Sequence, residues 1–360
     1  MKRLPARDKV RMDLPDSSPV PDPGSIPDPS PIMDLLEAFR RSKVMFTAVS
    51  LGVFDLLEGK PVNAAALAAQ LRVEAEGLER LLDACVGLKL LRRNGVSYKN
   101  QPVASTYLCR NSERALTGYI LYSNDVLFRL WSHLEDAIRE GTPRWKQAFG
   151  IEGGIFDNFF RTEEAKQTFL QGMHGLGILS SPKVVEAFDL SRFRRLVDLG
   201  GATGHLAIAA CERYPGLRAV VFDLPQVSEA ARAHASRSPA VQRIEVLAGD
   251  FFCDQLPEAD LFAIGRILHD WSEDKIGKLL AKIYQRLPAG GGILISEKLL
   301  REDKAGPSSA QLQSLNMLVC TEGKERTLVE YCRLLEAAGF RNVQGRITGS
   351  PLDAVLAVKP

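Results

Sequence analysis

The residues whose types and spacing could do chemistry lie mostly after position 190. The stretch Asp198-Leu-Gly-Gly-Ala-Thr-Gly204 ends an apolar run and leads into a helical pattern. Glycines let a backbone come close to a ligand, the role assigned to Gly200 and Gly201. The G-x-G-x-x-G spacing that seats a pyrophosphate on a helix N-terminus is missing, and the carboxylate of Asp198 would repel a phosphate. That carboxylate suits an ammonium instead, directly or through water, as a sulfonium amino-acid cofactor would require. Asp223, in V-F-D-L-P beside Leu224, stands where an acid can accept both ribose hydroxyl hydrogens. Asp250 in A-G-D-F-F is expected near an adenine edge, with Phe251 beside its face, a stack worth about 0.5 to 1.5 kcal/mol beyond area burial. Each acid alone could be a helix N-cap. Three of them after successive strands, behind a glycine loop, point to S-adenosylmethionine as cofactor and S-adenosylhomocysteine as product.

A phenolic hydroxyl, with a pKa near 10, is protonated at neutral pH and needs a base before it can attack a methyl group. His269 follows the apolar run L-F-A-I-G-R-I-L and precedes a helical pattern, which puts it at the edge of a sheet beside such a donor. Its ordinary pKa near 6.5 suits that proton transfer. The competing reading is a helix-start histidine bonded to backbone. Asp270 is read as a cap of the next helix or a contact to the cofactor, and as a candidate substrate contact, rather than the base. Arg266 either hydrogen-bonds near the cofactor or serves a structural ion pair. The chemistry expected is an in-line displacement that needs no metal, since no compact set of acids or histidines is arranged for a divalent ion.

These side chains need a scaffold, and after Leu190 apolar strands alternate with helical patterns, the mark of a parallel sheet covered on both faces. Strands are predicted at 196–199, 219–222, 244–248, 261–264, 292–296, 342–346 and 354–358, with helices at 275–287 and 328–338. Ligands of such sheets sit outside the carboxyl ends of the strands, where the motifs fall. Upstream, residues 1–31 hold eight of the twenty prolines and read as a disordered tail. Apolar residues from Met33 to Leu57 recur at helical spacing. A helix over 64–71 capped by Asn63, a third through Leu78 to Leu91, and a hairpin at the Asn94-Gly95 turn complete a winged-helix pattern. Ordinary basic content argues against nucleic acid as its partner, and the apolar first helix reads as a dimerisation surface. Residues 104–190 read as helices in which Trp131, Leu134, Ile138, Phe159, Phe160, Phe169 and Met173 are expected mainly in the core.

Composition agrees with an ordinary globular protein: 45% hydrophobic, 25% charged and a net charge of +2. The scattered cysteines at 85, 109, 211, 253, 320 and 332 form no metal-ligand or disulfide pattern and fit a cytoplasmic, reducing location. No apolar run is long enough to cross a bilayer.

In this order, D-L-G-G-A-T-G, V-F-D-L-P, G-D-F-F, R-I-L-H-D-W, G-G-G-I-L-I-S-E and T-E-G-K-E-R-T resemble the plant-type and acetylserotonin O-methyltransferase family over roughly residues 33 to 358. The resemblance implies an α/β fold of the Rossmann-like class I methyltransferases, with a mostly parallel seven-stranded sheet. It also implies an N-terminal winged-helix-like domain (32–105) forming a homodimer, a helical linker (106–190) contributing to the substrate pocket, and a cofactor-binding catalytic domain (191–360). Glu297 and Glu325 match the glutamates that flank the family's catalytic histidine, as acceptors that fix its ring; a solvated strand-end acid and a surface ion-pair partner are their plainer readings. Asn316, as a hydrogen-bond partner, and Met317, as an apolar wall, would face a small aromatic hydroxyl substrate from a helix whose Leu312, Leu315 and Val319 face the core. Ala202 departs from the family, which usually has a third consecutive glycine there, and is expected to reshape cofactor contact without abolishing it. The rival readings are a nicotinamide oxidoreductase, a cofactor-binding relative without methylating chemistry, and a DNA-binding regulator.

Overall fold

The computed structural model describes residues 26–153 and 155–360; the Pro-rich stretch expected as a tail lies, through residue 25, outside them. The chain divides into two units, at Lys43 and Val44. The described part of the first unit carries most of a helix, Ser30–Leu51, on which Ile32, Met33, Leu35, Leu36 and Phe39 are exposed. The apolar pattern expected to continue to Leu57 is interrupted. Gly52 has φ of 77°, and a separate turn, Val53–Leu56, follows, because a left-handed residue cannot continue a right-handed helix.

After that turn the second unit continues with helices Ala64–Leu71 and Ala75–Gly87 and a hairpin of Leu91–Asn94 with Ser97–Asn100, to which Val62–Asn63 adds a short third strand. Asn63 caps the first of these helices by accepting the Ala66 N–H at 2.8 Å, a contact worth about 1 kcal/mol. Leu67, Leu82, Leu91 and Tyr98 close a core of their own. Helices from Thr117 to Glu186 follow, and Tyr122, Leu130, Trp145 and Phe159 pack with Val319 and Cys320 of helix Ser308–Cys320. Ile138 does not join this core; it is 60% exposed.

The large sheet has seven strands, numbered here in chain order: β1 (Arg195–Leu199), β2 (Arg218–Asp223), β3 (Ile244–Ala248), β4 (Leu261–Gly265), β5 (Gly292–Glu297), β6 (Arg341–Arg346) and β7 (Asp353–Val358). Their spatial order is β6-β7-β5-β4-β1-β2-β3. Strands β1 to β5 run parallel, and β7 lies antiparallel between β5 and β6. Alternation sends Val197, Leu199, Phe222, Phe262 and Ile264 to one face, against helices Glu273–Arg286 and Leu328–Ala337. Leu196, Val221, Leu261 and Ala263 go to the other, against helix His205–Arg213. Both faces are covered, so these strands read as nearly continuous apolar runs. The chain leaves β1 for β2 on one side and takes up β4 on the other. This reversal opens a crevice at the carboxyl ends of β1 and β4, where ligands of such sheets bind.

Candidate active site

A cavity of about 260 Å³ occupies that crevice. Gly200, Ala202, Asp223, Leu224, Asp250, Phe251 and Arg266 line it, all but Ala202 among the residues expected to hold a cofactor. Main-chain amides hold the acids in place. Asp223 accepts the Ala202 N–H at 2.8 Å and the Leu224 N–H at 2.7 Å, and Asp250 accepts the Phe252 N–H at 2.8 Å. Burial pushes the Asp223 carboxyl up to about 6, against these two amide bonds. Lys282, which carries no sequence signal of its own, donates to the carbonyls of Phe251 (2.9 Å) and Phe252 (3.2 Å) and pins the loop after β3. Ala202 has φ of 48°, a left-handed conformation that suits the glycine usual at this point.

Two of the expected contacts lie behind this surface rather than on it. Asp198 alternates toward helix His205–Arg213 and accepts the Ala207 N–H at 3.3 Å. Burial raises its carboxyl to about 7. Gly201 packs on that carboxyl, and a Cβ there would stand 2.8 Å from it. Both support the glycine loop from below.

A smaller cavity, about 60 Å³, adjoins the first. Phe169, Met173, Arg266 and Asp270 line both. His269, Asn316 and Met317, expected as base and substrate contacts, all line the smaller one. His269 sits in a short turn, Leu268–Asp270, just after β4. Its Nδ1 lies 2.7 Å from Glu325 Oε1, and its Nε2 lies 3.7 Å from Asp270 Oδ1. Burial alone would lower the pKa of this imidazole, but the carboxylates of Glu325 and Asp270 outweigh it and raise it to about 9. Asp270 is pushed up to about 7 by burial, opposed by the charge on His269. It caps nothing, since Ser272 precedes the next helix.

The two glutamates expected around the ring divide their work. Only Glu325 bonds the imidazole. Glu297, at the end of β5, accepts the backbone N–H groups of Ile267 (3.1 Å), Leu268 (2.6 Å) and His269 (3.2 Å) through one oxygen and the Tyr331 hydroxyl through the other. It holds the turn rather than the ring. Among the described residues His269, Glu297 and Glu325 are the one group whose potential metal-ligand atoms lie within 4.8 Å of one another. Both Glu297 oxygens are engaged by donors, whereas Glu325 Oε2 is buried without a partner among the described residues.

Other supports had no sequence signal beyond proximity to a motif. Arg326, buried beside Glu325, donates to the carbonyls of Leu268 and Lys324, each at 3.1 Å. Gly323 lies so close that a Cβ would stand 2.1 Å from the His269 carbonyl oxygen. Trp131 donates its Nε1–H to Asn316 Oδ1 at 2.9 Å. Leu312, expected on the core-facing stripe of the same helix, is 56% exposed, while Val319 is fully buried and Met317 nearly so.

Residues 131–341 match the O-methyltransferase domain family, and residues 33–110 match the O-methyltransferase dimerisation domain. The chain is 45% identical over 335 residues to an acetylserotonin O-methyltransferase of Gallus gallus, covering 91% of this chain and 96% of that protein. Its structure resembles the crystal structure of human N-acetylserotonin methyltransferase in complex with SAM, with a TM-score of 0.88 and 43% identity over 93% of this chain and 99% of the human one. PigF with SAH is similar at a TM-score of 0.85 and 28% identity, over 93% of this chain and all of that one. A crevice at the strand reversal, acids anchored beside it and a carboxylate-bound histidine next door therefore belong, in this chain, to a member of the O-methyltransferase family that uses S-adenosylmethionine.

Proposed function

We propose that the protein methylates the hydroxyl of a small hydroxylated aromatic, with a hydroxyindole carrying an amide side chain as the favoured acceptor, and that His269 is the general base. The observation that carries this reading is the orientation of His269. A carboxylate can only accept hydrogen bonds, so with Glu325 in that form the ring proton facing it sits on Nδ1. Nε2 is then the nitrogen left to take a proton at the smaller cavity.

The larger cavity fits the cofactor. The Nε of Arg266 is buried without a partner, a donor in want of an acceptor. Asp223 and Asp250 suit the ribose hydroxyls and the adenine amine, and Leu224, Phe251 and Phe252 its flat faces. When bound, S-adenosylmethionine supplies an electrophilic methyl group on a positively charged sulfur. The chain's own residues do the rest. Phe169 and Met173, shared by both cavities, exclude water and align the acceptor, and orientation of this kind supplies a large part of an enzymatic rate. His269 takes the hydroxyl proton at Nε2 as the oxygen attacks. Glu325 stabilises the resulting imidazolium, and Glu297 with Arg326 keeps the turn from shifting as charge develops.

Asn316 supports the choice of acceptor. An indole N–H can only donate, so Trp131 requires the carbonyl oxygen of the Asn316 amide to face it. The amide NH₂ is thereby left to donate into the pocket, to a group such as an amide carbonyl. The names of the relatives agree with such a substrate. Homodimer formation through the N-terminal helix is supported by the dimerisation-domain match and by the exposed apolar residues from Ile32 to Phe39. A cytoplasmic location is supported by six free cysteines; among the described residues no helix is long and apolar enough to cross a membrane.

Methyl transfer from labelled S-adenosylmethionine to a panel of hydroxyindoles and phenols tests the proposal. A base must be neutral, and kcat/KM reports the free enzyme. With His269 raised to about 9, kcat/KM should climb with pH and level off only above that value. A profile flat from pH 6 to 10, or no transfer to any acceptor, would refute it.

A further inference from the structure

We propose that His205 reads the amino-acid end of the cofactor, donating its Nε2–H to the carboxylate that S-adenosylmethionine and S-adenosylhomocysteine share. The proposal rests on the reading of the larger cavity as the cofactor's. His205 opens helix His205–Arg213 directly after the glycine loop and lines that cavity together with Arg266.

The fold makes room for this ring and fixes its protons. Gly177, in the long helix Glu163–Glu186, lies beneath it, and a Cβ there would stand 2.2 Å from the imidazole Cδ2. One turn further along the same helix, Ser181 Oγ lies 2.8 Å from His205 Nδ1. Ser181 is buried, and this is its one side-chain hydrogen bond among the described residues. If Nδ1 carried the proton, the serine hydroxyl hydrogen would be buried with no acceptor, an outcome folded proteins avoid. The serine therefore donates, Nδ1 accepts, and the proton resides on Nε2, which has no partner within the described protein. Burial, with the nearby charges of His174 and Arg266 adding to it, pushes the pKa of His205 down to about 3, so the ring is a neutral donor throughout the neutral range.

The chemistry of the ligand selects the carboxylate as what this donor meets. Asp223 and Asp250 offer acceptors to hydroxyls and an amine. Besides Arg266 Nε, the cavity holds one further buried donor without a partner, the Trp271 indole N–H, which stands among Phe156 and Phe252, surroundings for a flat ring. Arg266 and His205 remain for an anion, one as a charge and one as a directed donor.

The test is titration calorimetry of the full-length protein with two probes, S-adenosylhomocysteine and 5′-methylthioadenosine, which keeps the nucleoside and sulfur but has no amino-acid end. For His205→Ala, S-adenosylhomocysteine should bind roughly tenfold more weakly, the scale of one hydrogen bond to a charged group, while 5′-methylthioadenosine binds as before. His205→Gln places an amide donor near the position of Nε2 and should restore most of the loss. Equal weakening of both probes in both variants would make His205 a packing residue and overturn the inference, as would unchanged affinity for S-adenosylhomocysteine. A wild-type protein that binds neither probe would instead overturn the assignment of the cavity itself.

Discussion

The two adjoining cavities share a wall yet are built in opposite ways. The larger is framed at strand ends by the glycine loop after β1 and by acids after β2 and β3 that main-chain amides anchor, with the helix side chains Phe169 and Met173 completing its wall. The smaller is made of side chains brought together from distant helices, as when Trp131 meets Asn316. The contrast teaches that a cavity framed at strand ends takes its geometry from the sheet, whereas one assembled from helix side chains depends on pairs such as Trp131 and Asn316.

Substitutions on the two sides can break or sharpen that contrast. The largest effect is expected from His269→Ala, which should lower turnover by about 10² to 10⁴ while leaving S-adenosylhomocysteine affinity near wild type. A parallel loss of affinity would mean that the two cavities are not separable. Gly323→Ala comes next. Its Cβ would collide with the His269 carbonyl oxygen, which is backbone and cannot swing aside. The turn must shift, lowering stability by about 1 to 3 kcal/mol in denaturant titrations and turnover with it.

Trp131→Phe should have a narrower consequence. It frees the Asn316 amide to flip, so the preference for acceptors bearing a carbonyl over those bearing a donor should fall by about tenfold in kcat/KM, the worth of one hydrogen bond. Cofactor affinity should not change, and a drop in it would sink the division of labour. The smallest effect is expected from Ala202→Gly on the cofactor side. Relief of left-handed strain outweighs the greater freedom of glycine in the unfolded chain, for a net gain of about 0.5 to 1 kcal/mol in thermal unfolding.

The same contrast explains what could be read from the residues. The strands of the large sheet were legible to within a residue or two at their ends because most are apolar runs bounded by turn residues; the edge strand β6, with Val343 its one apolar side chain, is the exception. The place of Asp223, Asp250 and Phe251 on the larger cavity was legible because residues at a strand end are contiguous in sequence. Asp198 shows the limit of that logic. Its place after the strand suggested a ligand contact, but pleat alternation turns its side chain to the helix face. Ile138 and Leu312 failed because helical spacing marks a face without saying whether anything covers it. Glu297 was found by resemblance, but its three backbone partners depend on a turn from another strand. Arg326 and Gly323 matter only through carbonyls of residues far away in sequence, and no periodicity records such a partner.

Phe169, Met173, Arg266 and Asp270 present surface to both chambers. A single partition of this sort makes the two occupants thermodynamic neighbours: whatever factor one imposes on the other's dissociation constant, the second must return to the first. With donor and acceptor in the two chambers as proposed, an acceptor that tightens the grip on the methyl donor is itself gripped more tightly once donor is in place, and the spent nucleoside would govern how readily the next acceptor is admitted.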